Sequence, residues 1–177
     1  MGLDMYFYAK TKNKVNVANL EDDNYHSFCP WDREDKVDET NYPEDLKELG
    51  DYIYKTNFKS SFIDVDEASY YYQIGYFRKF NALHAYLVDI LANGVDNCQE
   101  IKITKDDLLT LYNNLTKIGK DEVEAAYYLP TQDGFFFGST DYDEYYFNDV
   151  KEAIEMCELF LEHFDFDKYD LIYQASW

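Results

Sequence analysis

The chain has few cysteines, no long apolar run and few basic residues. Three cysteines at wide spacing among 177 residues argue against a disulfide framework and favour a reducing compartment. The most apolar stretch, Tyr86 to Leu91, is interrupted by Asp89 and is far too short to cross a bilayer, and no signal peptide opens the chain. We therefore expect a cytoplasmic protein.

Recognisable catalytic motifs are also missing. No set of residues has the spacing of a nucleophile triad or of a metalloprotease helix, and no glycine-rich phosphate loop with a lysine occurs. The sequence therefore predicts a protein that is not an enzyme, and it directs attention to the surface.

Acidic residues are abundant and unevenly distributed. The chain has 36 acids against 16 bases, a net charge of −20. Leu20–Asp51 has twelve acids against three bases, and Asp141–Asp170 has eleven against two, so each segment contributes −9. The rest of the chain is nearly neutral. Two concentrated segments predict strongly negative surface patches, whereas general solubility would need only an even distribution.

Aromatic residues make up 19% of the chain, which favours a packed interior over disorder. We predict one α+β domain, residues 1–177, with an acidic surface insertion at about 15–63. Its small, mainly antiparallel sheet includes an N-terminal strand, Leu3–Ala9, and a C-terminal strand, Tyr169–Ser176. Two long helices, Ala68–Ala92 and Tyr142–Phe164, are predicted to pack against it.

Shorter elements are predicted from local signals. They are a helix beginning at Pro43, a strand within Lys59–Val65, a strand at Gln99–Thr104, a helix capped by Thr104, a helix at Asp121–Tyr128, and a brief strand at Phe135–Phe137. The last of these belongs to a glycine-bounded aromatic block, Gly134–Gly138, which we expect to form part of the core.

The helix at Tyr142–Phe164 carries the main functional hypothesis. Its predicted core stripe is Phe147, Val150, Ile154, Cys157, Leu161 and Phe164. Acids recur one turn apart on its other faces, although such like-charge pairs destabilise a helix by about 0.2–0.5 kcal/mol each. We predict a partner-binding acidic surface that combines this helix with the first acidic segment: Glu21, Asp22, Asp23, Glu34, Asp35, Asp38, Glu39, Asp149, Glu152, Glu155, Glu158 and Glu162.

Two alternatives use other residues. A small-ligand site or enzyme could use Arg78, Lys79 and His84 on the helix predicted at Ala68–Ala92, together with Asp4 and the Gln132–Asp133 turn. Abundant carboxylates make structural ion pairs the simpler interpretation of these cations. A structural zinc site is the other alternative, with His26 and Cys29 as its predicted ligands.

Several stretches resemble a family of small acidic proteins encoded by phages and prophages. They are Met1–Tyr6, Gly75–His84, Asn93–Cys98, Leu129–Tyr146 and Tyr173–Trp177. Residues from about Val15 to Ile63 are not matched. Relatives are sometimes labelled phosphoglycerate kinase, which this chain is too short to be.

The resemblance implies a phage protein acting in the host bacterial cytoplasm. Small acidic phage proteins include inhibitors of host defence that mimic DNA, among them type II anti-CRISPR proteins. We therefore expect an inhibitor that binds a basic, nucleic-acid-binding region of a host defence protein such as an RNA-guided nuclease. No direct binding to nucleic acid or to membranes is expected.

Overall fold

The computed structural model describes residues 2–14, 42–56, 61–64, 67–135 and 137–177. The predicted surface segment from Val15 to Asn41 lies outside these ranges. The described residues form a five-stranded antiparallel sheet with helices, so the predicted α+β class is confirmed.

The two strands predicted at the chain ends lie side by side in the sheet. β1 (Asp4–Thr11) pairs with β5 (Tyr169–Ser176) on one side and with β3 (Ser69–Arg78) on the other. The short strands β2 (Ser61–Asp64) and β4 (Ile101–Ile103) complete the order β2-β3-β1-β5-β4. β1 lacks strict polar alternation because its second face also carries aromatic side chains, and Tyr8 packs there in a small cluster with Tyr71 and Ile172.

Within the described ranges, five α-helices accompany the sheet. A 3-10 turn (Glu44–Leu46) leads into α1 (Lys47–Thr56), and α2 (Asn81–Leu91) follows β3. The remaining helices are α3 (Lys105–Leu115), α4 (Glu122–Tyr128) and α5 (Glu144–His163). Thr104 caps α3 as predicted, through a capping box with Asp107.

The helix predicted over Ala68–Ala92 is wrong in its first half. Residues Ser69–Arg78 form β3, and only Asn81–Leu91 are helical. Aromatic residues at helical spacing suggested one long helix. The run of adjacent tyrosines with Ile74 and Phe77 has a stronger β than α preference, and pairing with β1 satisfies its backbone. Lys79 then adopts a positive φ of 62°, which separates the strand from the helix.

The core lies between one face of the sheet and the helices. Phe7 of β1 sits at its centre, with ring contacts to Phe77, Phe160 and Tyr173. Leu46 and Leu49 are fully buried, so the start of α1 contributes to this core even though it belongs to the segment 15–63. A smaller cluster on the opposite face of the sheet contains Tyr8, Tyr71 and Ile172.

The core stripe of α5 differs from the predicted one. Val150, Cys157 and Phe164 are buried as expected, but the other predicted positions, Phe147, Ile154 and Leu161, are only half-buried. The buried stripe is instead completed by Tyr146, Ala153, Met156 and Phe160. The apolar residues of α5 form two adjacent stripes, and each stripe by itself has helical spacing. The stripe predicted as core includes half-buried positions because it lies on the flank that contacts α3.

The aromatic block forms a turn and not the predicted strand. The amide of Phe137 donates to the carbonyl of Gly134 at 3.1 Å. Phe137 is buried, whereas the Phe135 side chain is 94% exposed. Of the two phenylalanines that the structure describes here, only Phe137 therefore contributes to the core.

Candidate functional site: an acidic face on two helices

Four of the five predicted acids of α5 lie on its outer surface. Glu152, Glu155, Glu158 and Glu162 are exposed, opposite the stripe that packs on the sheet. The ten residue steps from Glu152 to Glu162 rise about 15 Å along the helix, which places one carboxylate about every 5 Å. A single DNA strand has one phosphate about every 3.4 Å, so the two series have similar but unequal density.

Helix α1 lies beside this ridge and adds a second row of acids. The Tyr52 hydroxyl of α1 donates to the backbone carbonyl of Glu152 at 3.3 Å. At the other end, His163 Nδ1 lies 3.0 Å from Glu48 Oε2, and His163 Nε2 lies 3.8 Å from Glu162 Oε2. We define the acidic face as six exposed residues on these neighbouring elements: Glu44, Glu48, Glu152, Glu155, Glu158 and Glu162.

Three lysines near the acidic face whose side chains the structure describes are paired with nearby acids. Lys47 lies 3.4 Å from Glu44, and Lys151 lies 3.5 Å from Glu155. Lys168 pairs with Asp45 next to α1. These exposed pairs neutralise single carboxylates, and the surplus of acids leaves the face negative.

The pKa of the Tyr52 phenol is raised by burial and by the neighbouring carboxylates of α5. Burial first, and then the carboxylates of Glu155 and Glu152, raise the pKa of its phenol to about 12. A negative surrounding disfavours a phenolate, so this direction is the one expected between two acidic helices.

Asp149, the fifth predicted acid of α5, has a different environment. It lies at the edge of the core stripe, half-buried, one helical turn before Glu152. Burial, followed by the charges of Glu152 and Asp143, raises its pKa to about 7. Asp149 is therefore partly protonated at neutral pH and contributes less charge than its neighbours.

The fold separates Arg78 and Lys79 from His84, the third residue of the predicted cationic ligand site. Arg78 ends β3 and Lys79 follows it, so neither lies on a helix as predicted. Both line a groove of about 300 Å³ together with Asp141, Asp143 and Asp149. Arg78 Nε lies 3.9 Å from the carboxylate of Asp4, the ion pair that the simpler interpretation anticipated.

His84 is buried in a separate network. It is 1% exposed on α2, with Nδ1 2.7 Å from the Tyr173 hydroxyl and Nε2 3.0 Å from Asp96 Oδ2. Trp177 donates from Nε1 to the other oxygen of Asp96 at 3.3 Å. Both ring nitrogens are thus engaged, and the network ties α2 to the end of β5.

Asn81 connects α2 to the loop that contains the Gln132–Asp133 turn. Its buried amide donates to the carbonyls of Phe137 and Ser139 at 3.1 and 2.8 Å, and its oxygen accepts from the Gln132 amide at 3.0 Å. Sequence patterns do not single out Asn81. Asn81 therefore holds this loop against the start of α2 through three hydrogen bonds.

Nine of the predicted site residues lie outside the described residues. They are the acids of the first segment, Glu21, Asp22, Asp23, Glu34, Asp35, Asp38 and Glu39, and the zinc candidates His26 and Cys29. Among the residues that the structure does describe, no group of three or more His, Cys, Asp and Glu side chains could hold a metal ion. Zinc at His26 and Cys29 stays a prediction.

No protein-family model, curated protein or solved structure matches the chain. The resemblance to a phage family therefore stays a prediction as well. Within the described ranges, no helix has the length and apolar character needed to span a membrane.

Proposed function

We propose that this protein is an inhibitor that binds a basic, nucleic-acid-binding region of a host defence protein through the acidic face. The observation that supports it is the adjacent placement of α1 and α5, which sets the exposed carboxylates of Glu44 and Glu48 beside the four exposed glutamates of α5. Proteins bind nucleic acid largely through Lys and Arg contacts to phosphates. A rigid negative surface of comparable spacing competes for the same cations.

An RNA-guided nuclease is the partner class that fits best. Its channel for the guide–target heteroduplex is lined by positive charge and recognises backbone more than sequence. Such a channel accepts an anionic surface without base-specific contacts. The protein would then act in the host cytoplasm by excluding the nuclease from its DNA.

The test compares two charge-matched variants. The face variant is Glu152→Gln, Glu155→Gln and Glu162→Gln, which leaves Glu158 in place because it accepts a hydrogen bond from Tyr112. The control variant, Asp89→Asn, Glu122→Gln and Asp133→Asn, removes the same charge from exposed positions on other elements. Each variant changes the net charge by +3.

Target DNA binding by a guide-loaded nuclease is measured with each protein present at about 0.1 M salt. We expect the native protein and the control variant to inhibit binding, and the face variant to inhibit it at least about tenfold less. Equal inhibition by the two variants would show that total charge, and not this face, is responsible. Absence of inhibition by the native protein would remove this nuclease as the partner.

A further inference from the structure

A groove of mixed charge lies where the end of β3 meets the beginning of α5. It has a volume of about 300 Å³ and is bounded by the start of α2, the 131–141 loop and the first turns of α5. The charged residues that line it are two cations and three carboxylates: Arg78, Lys79, Asp141, Asp143 and Asp149. Both signs of charge therefore face one small cavity.

The walls of this groove are held in place by contacts within the chain. Asn81 fixes the loop through its three hydrogen bonds, and the Asp143 carboxylate caps α5 by accepting from the Tyr146 amide at 3.0 Å. Gly138 has a φ of 93°, and a Cβ there would lie 3.2 Å from the Lys79 Cβ, so the loop passes directly against Lys79. A cavity that is already formed costs little to organise when a ligand enters.

Two opposite charges in the groove have no ionic partner within the described part of the chain. Arg78 is paired with Asp4. No ion pair or hydrogen bond joins the side chain of Lys79 or of Asp149 to another described residue. The two side chains also do not pair with each other, so their charged atoms lie beyond ion-pair distance.

The charge environment of Asp149 agrees with this separation. Burial raises the pKa of its carboxyl, and the charges of Glu152 and Asp143 raise it further, to about 7. Neither Lys79 nor Arg78 offsets these effects. Asp149 therefore lacks a stabilising cation, and an ammonium group placed beside it would supply one.

We propose that the groove binds a small zwitterion about the size of a dipeptide, with its carboxylate at Lys79 and its ammonium group at Asp149. A ligand of one sign fits less well, because a cation would meet Lys79 and an anion would meet Asp149. The volume is at the lower limit for small-molecule sites, and two extended residues span about 7 Å. This binding activity is separate from the acidic face and does not rest on the proposed function.

Alanyl-alanine and two blocked forms of it test the proposal. N-acetylation removes the ammonium charge and C-amidation removes the carboxylate charge, while both side chains stay the same. Each peptide is titrated into the isotope-labelled full chain at about pH 7.5, where most of the Asp149 carboxyl and most of the peptide amine are ionised. Affinities and binding positions are read from the shifts of the backbone amide resonances.

The unblocked dipeptide should bind about tenfold more tightly than either blocked form, since each block removes one charge-assisted hydrogen bond. The largest amide shifts should fall at Ser139 and Asp149, which line the groove. Equal affinity for the three peptides, no binding at all, or shifts centred away from the groove would each overturn the inference.

Two variants assign the ends of the ligand. Lys79→Gln should bind alanyl-alanine about tenfold more weakly and no longer distinguish it from the amidated form, but should still prefer it to the acetylated form. Asp149→Asn should show the reverse pattern, losing only the preference over the acetylated form. If both variants keep both preferences, these side chains do not hold the ligand and the assignment is wrong.

The matched controls are Lys105→Gln and Asp89→Asn, at exposed positions that do not line the groove. Both preferences should survive in these controls. A purely structural role of Lys79 or Asp149 would weaken all three peptides together without changing their ratios, which would also count against the proposal. Circular dichroism checks that each variant folds, and the comparison of the three peptides on the native chain decides the proposal even where a variant does not.

Discussion

Replacing Asp149 with asparagine should stabilise the protein, by an amount that grows as the pH rises from about 4 to 7 and is constant above it. Asp149 is half-buried beside Glu152 and Asp143, and its pKa is raised from 3.8 to about 7. Between about pH 4 and pH 7 the folded chain therefore holds a proton that the unfolded chain releases. Because the folded state binds more protons, stability attributable to this group falls as the pH rises through that window.

The magnitude follows from the pKa change. Each tenfold change in proton affinity corresponds to about 1.4 kcal/mol. The rise of the Asp149 pKa therefore lowers the free energy of unfolding at high pH by at most about 4 kcal/mol. Part of the carboxyl group remains in contact with water, which screens the neighbouring charges, so we expect about 1–2 kcal/mol. Asparagine resembles the protonated acid in size and polarity and never ionises.

Urea unfolding of the native chain and of Asp149→Asn, at pH 4 and pH 8, measures this difference. The variant should be more stable by about 1–2 kcal/mol at pH 8 and nearly equal at pH 4. Asp133→Asn, at an exposed loop position, is the control and should change stability by less than about 0.5 kcal/mol. A stability difference that is the same at both pH values would refute the assigned environment of Asp149.

Three further substitutions test the packing that positions the helices. Asn81→Ala removes the three hydrogen bonds that hold the 131–139 loop and should cost about 2–3 kcal/mol of unfolding free energy, with faster amide exchange at Gln132. Gly75→Ala would place a Cβ 2.9 Å from both Met156 Sδ and Phe7 Cβ, so thermal unfolding should show a loss of about 1–3 kcal/mol; an unchanged midpoint would contradict the close approach of α5 to the sheet. Tyr173→Phe leaves the His84 Nδ1 without its partner and should cost about 1–2 kcal/mol in chemical unfolding, whereas Tyr127→Phe, on an exposed ring, should cost almost nothing.

Much of the fold could be predicted because local signals agreed with tertiary packing. The N- and C-terminal strands, the Thr104 cap and the long carboxylate-rich helix were all expected from sequence. The stretch Ser69–Arg78 could not be assigned from spacing alone. Its aromatic residues satisfy a helical period, and only pairing with β1 and β2 settles it as a strand.

The acidic face was predictable in part. Glu152, Glu155, Glu158 and Glu162 are exposed as the pattern of α5 indicated. Helix spacing did not show that Asp149 lies at the edge of the buried stripe, because that depends on which of two apolar stripes faces the sheet. The contribution of Glu44 and Glu48 depends on α1 lying against α5, a contact between distant parts of the chain that no local pattern specifies.

Displacement of DNA is the measurement that tests the acidic face most directly. A labelled duplex is bound to the guide-loaded nuclease, and its release is followed as the native protein, the face variant or the control variant is added over a range of salt concentrations. Competition for phosphate-binding cations predicts displacement by the native and control proteins that weakens steeply as salt rises, and little displacement by the face variant at any salt. Displacement that is insensitive to salt and unaffected by loss of Glu152, Glu155 and Glu162 would contradict the proposal.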